Sequence, residues 1–239
     1  MKYRLPCSSM PDRKRKPHRI FAAFYSFLAA VAEQGSIGKL RRRLLAGSYG
    51  RVLELGAGTG ENLKHYPPQV THIDLIEPDS AMLTRLRSKI AKTTPKPAVS
   101  ITRAAGEYLP FKDESFDCVV STLTLCSVQD APTALSEAAR VLKPHGRLLV
   151  FEHIESPNRR IAAWQHRLNP LWSRFAGGCH LNRPTKELIE QAGFEATEVE
   201  VFDMKLTLPI LAHHVIGAYI PGRPPQHRIP GRYPRSSKS

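Results

Sequence analysis

Three glycines at the end of a short apolar segment constrain the fold of this 239-residue chain most strongly. In RVLELGAGTGENL, the apolar run ends in Glu54 and continues into Gly56, Gly58 and Gly60 before a helical pattern begins. A strand, a tight glycine turn and a helix N-terminus together form a nucleotide-type site. Glycines are needed because a side chain would block the ligand's approach to the backbone, and because the turn requires positive φ angles.

Short β-branched segments alternate with helical patterns along most of the chain. Strands are predicted at Arg51 to Leu55, Thr71 to Glu77, Val99 to Arg103, Phe116 to Ser121 and Arg147 to Glu152. Helices are predicted at Thr59 to Tyr66, Asp79 to Ala91, Ala131 to Leu142 and Thr185 to Ala192, with Asp79 and Thr185 as N-caps. Two later segments, Thr197 to Phe202 and His213 to Tyr219, are expected to form a final pair. The alternation predicts a parallel sheet with crossover helices.

A carboxylate in the second predicted strand supports the nucleotide-type site. Glu77 ends that strand 17 residues after Gly60, where a carboxylate can accept hydrogen bonds from both hydroxyls of a ribose. The dinucleotide pattern G-x-G-x-x-G would require a glycine at Glu61, since the three glycines are spaced two by two. This departure disfavours a nicotinamide enzyme.

Several motifs follow one another in a recognisable order. E-L-G-A-G-T-G, IEPDSAML, AAGEYLPFKDESFDCVVS and EAARVLKPHGRLLVFEH resemble the successive motifs of class I S-adenosylmethionine methyltransferases over about Arg51 to His153. Further segments, STLTLCSV, FEHI, the Trp164 and Trp172 region, GGCHLNRPT and HHVIGAY, are similar to the methyltransferase-like alkyl thiol methyltransferases and their bacterial relatives. That similarity covers roughly residues 20 to 220.

The resemblance implies a Rossmann-like, seven-stranded α/β sheet with helices on both faces, and S-adenosylmethionine as cofactor. The residues that it implies for cofactor binding are Glu54, Gly56, Ala57, Gly58, Gly60, Glu77, Pro78, Met82, Gly106, Glu107, Thr122, Leu123 and Tyr25. Many relatives have an Asp that reaches the adenine amine where this chain has Ala105. We therefore expect the adenine to be held by backbone groups and packing.

The sequence contains no metal triad or obvious catalytic dyad, and its four cysteines lack metal-finger spacing. Methyl transfer from a sulfonium needs little acid or base when the acceptor is already nucleophilic, and a thiol needs least help. Glu152 and His153, which end the fifth strand, are the catalytic candidates, although a histidine that only caps a strand is equally ordinary. Cys179 and His180 are further candidates by position, with Cys179 more readily explained as a small buried residue. Arg183 could pair with a carboxylate.

The positive charge lies at the two ends of the chain. Of 35 basic and 21 acidic residues, residues 1–51 hold 12 and 2, and residues 221–239 hold 5 and none. The central region is therefore nearly neutral, which suits an electrostatic contact of the ends with an anionic membrane better than a nucleic-acid enzyme. The expected division is a basic flexible arm at 1–19, a helical segment at 20–50, the methyltransferase domain at 51–220 and a disordered, basic, Pro-rich tail at 221–239.

An aromatic stripe precedes the first strand. A helix over Ile20 to Gln34 would place Phe21, Phe24, Tyr25 and Leu28 on one face. One interpretation is a lid that covers the cofactor, in which Tyr25 resembles the tyrosine that contacts the cofactor in the family. Another is an interfacial membrane helix between the basic clusters Arg13 to Lys16 and Arg41 to Arg43. The two can coexist. A secretory signal peptide is a third interpretation, disfavoured because the cofactor is intracellular.

We therefore expect a cytoplasmic methyltransferase that acts on a small apolar molecule, with a thiol as the first choice of acceptor. A peripheral contact with the inner face of a membrane is a further expectation. One alternative is a membrane-associated lipid or quinone methyltransferase. Another is a non-catalytic S-adenosylmethionine-binding module that contacts nucleic acid through its basic ends. The sequence leaves the acceptor and the oligomeric state open.

Overall fold

A computed structural model describes residues 35–93, 97–205 and 207–222 of the chain. The basic arm, the aromatic segment Ile20 to Gln34 with Tyr25, and the tail beyond Gly222 lie outside the described residues. The described part of the 20–50 segment contains helix α1, Ser36–Leu45. Leu44 and Leu45 of α1 are buried against the sheet, so this helix belongs to the core of the fold.

Seven strands form one sheet in the order β3-β2-β1-β4-β5-β7-β6. The strands are β1 Gly50–Leu55, β2 Val70–Ile76, β3 Ala98–Thr102, β4 Phe116–Thr122, β5 Leu142–His153, β6 Phe194–Asp203 and β7 His213–Pro221. Strands β1 to β5 run parallel, whereas β7 lies antiparallel between β5 and β6. This arrangement confirms the Rossmann-like, seven-stranded prediction.

Alternate residues of the central strands enter two hydrophobic layers, one on each face of the sheet. In β5, Leu148 and Val150 face one layer, and Leu149 and Phe151 face the other. The remaining helices are α2 Ser80–Thr93, α3 Ala131–Val141, α4 Arg159–Phe175, α5 Thr185–Gln191 and the short α6 Pro209–Ala212. Helices α3 and α5 contribute to the first layer, and α1 and α2 to the second.

The helix predicted at Thr59 to Tyr66 is wrong in type and extent. The structure has only a four-residue 3-10 helix, Asn62–His65, and Tyr66 is already extended with a ψ of 131°. Tyr66 precedes Pro67, whose ring disfavours helical backbone in the residue before it. Pro67 is visible in the sequence and explains where the helix ends, whereas the hydrophobic spacing did not reveal the 3-10 form or the start at Asn62.

Two boundaries also differ from prediction. Pro184 occupies the N-cap position of α5, and the hydroxyl of Thr185 is buried without a hydrogen-bond partner, so Thr185 is not the cap. Strand β5 begins at Leu142, directly after α3, and not at Arg147. The cap predicted at Asp79 is confirmed, because its Oδ1 accepts the N–H of Ala81 at 2.7 Å.

Helix α4 was missed by the sequence patterns, because Pro170 lies inside it and most of its residues are exposed. The signal that could have revealed it is Asn158, whose side chain accepts the N–H of Arg160 at 3.0 Å and caps the helix. Across the described segments, no helix has the length and apolar character required to cross a membrane.

The order of strands reverses between β1 and β4, since the chain continues from β1 to one side of the sheet and later returns to the other. At such a reversal the loops after neighbouring strands turn to opposite faces and leave a crevice at the carboxyl ends. The glycine loop after β1 and the loop after β4 border this crevice.

Candidate functional site

The glycine loop has the backbone geometry that the sequence predicts. Gly56, Gly58 and Gly60 have φ angles of 59°, 54° and 80°, a region that residues with a side chain rarely adopt. A Cβ atom at Gly56 would also collide with the side chain of Thr124 in the loop after β4. The glycines therefore permit both the turn and the close approach of two loops at the crevice.

Glu77 fixes the glycine loop to the end of β2. Its Oε2 accepts the N–H of Gly58 at 2.9 Å, and its Oε1 accepts the N–H of Asp79 at 2.8 Å. The carboxylate is buried and held at the carboxyl edge of the sheet. Its place at the carboxyl end of β2 is the one that the ribose prediction requires, and the contact with a ribose stays a prediction.

A buried polar network links the ends of β1 and β4. Glu54 accepts hydrogen bonds from the Asn62 side-chain amide at 3.1 Å and from the Tyr66 hydroxyl at 2.6 Å. Thr122 Oγ1 accepts from Asn62 and from Arg41, each at 2.9 Å. Burial raises the pKa of Glu54 to about 7, although the Tyr66 hydrogen bond and the Arg41 charge oppose the shift.

Sequence reasoning missed three members of this network, namely Arg41, Asn62 and Tyr66. Arg41 reaches it from α1, 81 residues before its partner Thr122. The basic cluster Arg41 to Arg43 enters the sequence analysis only as a flank of the predicted interfacial helix, yet Arg41 is buried. The available signal was the helical position of Arg41, three residues before the buried Leu44.

The other expected cofactor residues have varied surroundings. Ala57 and Met82 are buried, and Pro78 is exposed at the start of the turn into α2. Gly106 packs against Ala134, which a Cβ atom would approach to 3.4 Å. Leu123 has an uncommon positive φ of 54°.

The carboxylate of Glu107 is directed to the start of α3. It accepts the N–H groups of Gln129 at 2.7 Å and Asp130 at 3.2 Å. Together with the packing of Gly106, these bonds explain the local structure without an adenine, so adenine contacts by this pair stay a prediction.

Glu152 has a different environment from the one expected of a general base. It is fully buried, and its Oε1 accepts the Ser121 hydroxyl at 2.7 Å and the N–H groups of Thr124 and Leu125 at 2.8 and 3.0 Å. Its Oε2 accepts the N–H of Cys126 at 3.2 Å. These bonds occupy the carboxylate, so the geometry favours a role in shaping the loop after β4.

His153 keeps one ring nitrogen available. Its Nε2 lies 3.1 Å from the carbonyl oxygen of Ile210, which requires the proton on Nε2 and leaves Nδ1 as an acceptor. Nδ1 is buried and makes no hydrogen bond to any described residue. The neighbouring His214 ring packs edge-on at 5.7 Å, and burial lowers the pKa of His214 to about 4.

Cys179 lies beside a second cysteine, a pairing that the sequence analysis did not predict. Its sulfur is 3.7 Å from that of Cys126. His180 donates its backbone N–H to the Cys126 carbonyl at 2.8 Å. The Arg183 guanidinium donates to the carbonyls of Leu125 and Val128 and forms no ion pair with a carboxylate of the described residues, so only the pairing with a substrate carboxylate stays a prediction.

Comparison with known proteins identifies the family. Residues 53–166 match the family model described as a methyltransferase domain. A thiol S-methyltransferase of Homo sapiens, TMT1B, is 33% identical over 208 residues, which cover 82% of this chain and 85% of that relative. The chain belongs to the S-adenosylmethionine-dependent methyltransferases. It is therefore a methyltransferase enzyme, and family membership implies that it binds S-adenosylmethionine.

Other similar proteins are named as thiol S-methyltransferases or as quinone C-methyltransferases. The Rattus norvegicus thiol S-methyltransferase TMT1B is 38% identical over 151 residues, covering 62% of each chain. This match therefore spans less than two thirds of the rat protein's length. The ubiquinone/menaquinone biosynthesis C-methyltransferase UbiE of Vibrio cholerae is 28% identical and covers 77% of this chain and 83% of that relative.

Solved structures agree with the methyltransferase fold. An S-adenosylmethionine-dependent methyltransferase from Thermotoga maritima gives a TM-score of 0.62 at 22% identity, covering 85% of this chain and 97% of that chain. The [4+2]-cyclase SpnF gives a TM-score of 0.67 at 16% identity, covering 85% and 94%. At these identities the likeness concerns the fold alone.

The buried Glu54 should make the stability of the methyltransferase depend on pH. Its pKa is about 7 in the folded protein against an ordinary 4.5, so folding takes up a proton between these values. The resulting stabilisation is complete below the lower value and lost as pH rises through 7. Between about pH 5 and 8, the unfolding free energy should fall by roughly 3 kcal/mol relative to Glu54→Gln.

Urea denaturation of both proteins without cofactor, at several pH values, tests this expectation. Glu54→Gln keeps the shape of the side chain but cannot ionise, so it serves as the matched control. Parallel pH dependence in the two proteins would show that Glu54 does not carry the effect.

Proposed function

We propose that this methyltransferase transfers a methyl group from S-adenosylmethionine to a small, apolar thiol. The observation that carries the proposal is the hydrogen bonding of Glu152, which ends β5 where the acceptor is expected. Its carboxylate already accepts four hydrogen bonds from the protein. Because these hydrogen bonds leave Glu152 unable to act as a general base, the site suits an acceptor that needs little help with deprotonation. A thiol is such an acceptor, since it is partly ionised near neutral pH. The names of the human and rat relatives support the same acceptor class.

The crevice fits the proposed cofactor. Gly58 is partly exposed at a positive φ, and the Glu77 carboxylate is fixed beside it. Glu77 would accept the ribose hydroxyls, and the glycine loop would leave room for the ligand to approach the backbone. When bound, S-adenosylmethionine supplies an electrophilic methyl group on a sulfonium.

Glu77→Ala should weaken S-adenosylmethionine binding by about 1.5 to 3 kcal/mol, the scale of a hydrogen bond to a charged group. This corresponds to roughly a 10- to 150-fold rise in Kd. Isothermal titration calorimetry measures the affinity, and Glu198→Ala on the exposed face of β6 is the control. Unchanged affinity in folded Glu77→Ala would remove Glu77 from the site.

Labelled S-adenosylmethionine, offered with thiols, phenols, amines, quinols and phospholipids, tests the acceptor class. We expect the thiols to be methylated fastest. Preferential labelling of a quinol or phospholipid would instead support the lipid or quinone alternative.

The pH profile tests whether the acceptor's own ionisation controls the rate. We expect kcat/KM to rise with pH and to level off at lower pH for an arenethiol than for an alkanethiol, because the arenethiol ionises more readily. His153→Gln should lower kcat/KM by less than about tenfold, whereas a positioned base would contribute about 100-fold or more. Identical profiles for both thiols, with a large loss in His153→Gln, would make His153 the base.

The second candidate function is a membrane-associated lipid or quinone methyltransferase, and α4 supports it. Trp164, Leu171 and Phe175 share one face of α4 and are 55%, 62% and 70% exposed. The helix contains four arginines and no acidic residue, and the Arg167 guanidinium lies 5.7 Å from the Trp164 ring centre. This face suits peripheral contact with an anionic lipid surface on the cytoplasmic side. A nucleic-acid-binding module has no comparable support.

Vesicle sedimentation tests the α4 contact. The wild type should bind vesicles that contain phosphatidylserine more than vesicles of phosphatidylcholine alone, and salt should weaken binding. Replacement of Trp164, Leu171 and Phe175 by serine should reduce binding by about tenfold or more, since each buried apolar side chain contributes about 1.5 to 3 kcal/mol. Serine replacement of the equally exposed Tyr108 is the control. Equal binding by both variants would exclude α4 as the contact.

A further inference from the structure

Two cysteines that are distant in sequence meet beside the candidate site. Cys126 lies in the loop after β4, and Cys179 lies between α4 and α5. Their sulfur atoms are 3.7 Å apart, and all three described cysteines are free thiols. A disulfide bond is about 2.05 Å long, so the two sulfurs would need to approach by less than about 2 Å to join.

Backbone hydrogen bonds hold both cysteines in place. Cys126 donates its N–H to Glu152 at 3.2 Å, and its carbonyl accepts the N–H of His180 at 2.8 Å. Cys179 donates its N–H to the carbonyl of Ala176 at 3.1 Å. Arg183 adds two bonds to carbonyls on either side of Cys126. The packing of these two loops therefore holds the two sulfur atoms next to each other.

The two thiols differ in access. Cys126 is 2% exposed, whereas Cys179 is partly exposed. A reagent in solution would therefore meet Cys179 first, and the Cys126 sulfur is within 3.7 Å of it.

The surroundings also make the two thiols chemically different. The hydrogen bond between the two sulfur atoms and the nearby His153 and Trp172 side chains lower the pKa of Cys179, while burial opposes them. The same hydrogen bond, with burial, raises the pKa of Cys126. Trp172 Nε1 is buried, and it makes no hydrogen bond to any other described residue. A thiolate at Cys179 could accept a hydrogen bond from this N–H.

We propose that Cys179 and Cys126 are the attacking and resolving thiols of a site for exchange with small-molecule disulfides, which ends in a Cys126–Cys179 disulfide. The proposal rests on the sulfur geometry and unequal exposure of the pair. It does not depend on the identity of the methyl acceptor.

The exchange is balanced with the small disulfide as oxidant. The Cys179 sulfur attacks one sulfur of R–S–S–R, whose S–S bond breaks and releases RS⁻ with the bonding electron pair. The Cys126 sulfur then attacks Cys179 and releases the second RS⁻. The protons of the two protein thiols pass to the released thiolates, so two protein thiols are oxidised and one disulfide is reduced to two thiols.

Cys118 provides an internal comparison. It is buried within β4, and burial raises its pKa to about 11. No other described cysteine is hydrogen-bonded to it, in contrast to the Cys126–Cys179 pair. It should therefore stay reduced under conditions in which the pair reacts.

Full-length protein carrying Cys7→Ser, treated with glutathione disulfide and analysed by peptide mass spectrometry, tests the proposal. This background should form the Cys126–Cys179 disulfide and release two glutathione molecules per chain. Cys126→Ser should stop at one glutathionyl group on Cys179, because the resolving thiol is missing. Cys179→Ser should slow the reaction by about tenfold or more, and Cys118→Ser should match the background.

Alkylation of the unsubstituted chain gives a second measurement that does not depend on variant folding. Iodoacetamide should label Cys179 faster than Cys126 and Cys118 at neutral pH, since the exposed thiolate is the reactive form. Faster labelling of Cys126 would overturn the proposal. So would a stable glutathionyl group on Cys179 in the Cys7→Ser background, or an unreactive Cys179 in folded Cys126→Ser.

Discussion

The buried Glu152 carboxylate is the interaction on which the two halves of the site depend. It connects the end of β5 to the Ser121 hydroxyl and to three successive backbone N–H groups in the loop after β4. That loop places Thr124 against the glycine turn at Gly56 and Cys126 against Cys179. An unpaired carboxylate in this position would be costly, so the loop and the carboxylate stabilise each other.

The Glu54 network performs a similar role at the ends of β1 and β4. Arg41 and Asn62 join α1 and the 3-10 helix to Thr122 at the end of β4. The elevated pKa of Glu54 reflects the burial of this network. Polar groups therefore occupy both sides of the crevice, but their hydrogen bonds mainly fix the loops that a ligand would contact.

The fold, the family and the proposed methyl acceptor rest on different kinds of observation. The strand order and the parallel register establish the Rossmann-like architecture, which SpnF, named as a cyclase, shares at a TM-score of 0.67. Identity of 33% across most of the human relative establishes the methyltransferase family. The acceptor class is a proposal, because sites on one fold can take different substrates.

The sequence by itself determined the parallel strands, the glycine turn and the position of Glu77, because hydrophobic periodicity and positive-φ glycines are local properties. It did not reveal the short 3-10 form of the Asn62–His65 helix, helix α4, or the burial of Arg41. Only the tertiary structure decided that backbone N–H groups of the loop after β4 donate to Glu152, and that Cys126 contacts Cys179, which lies 53 residues later in the chain. These contacts join segments far apart in the chain, and their partners are set by how the strands and helices pack.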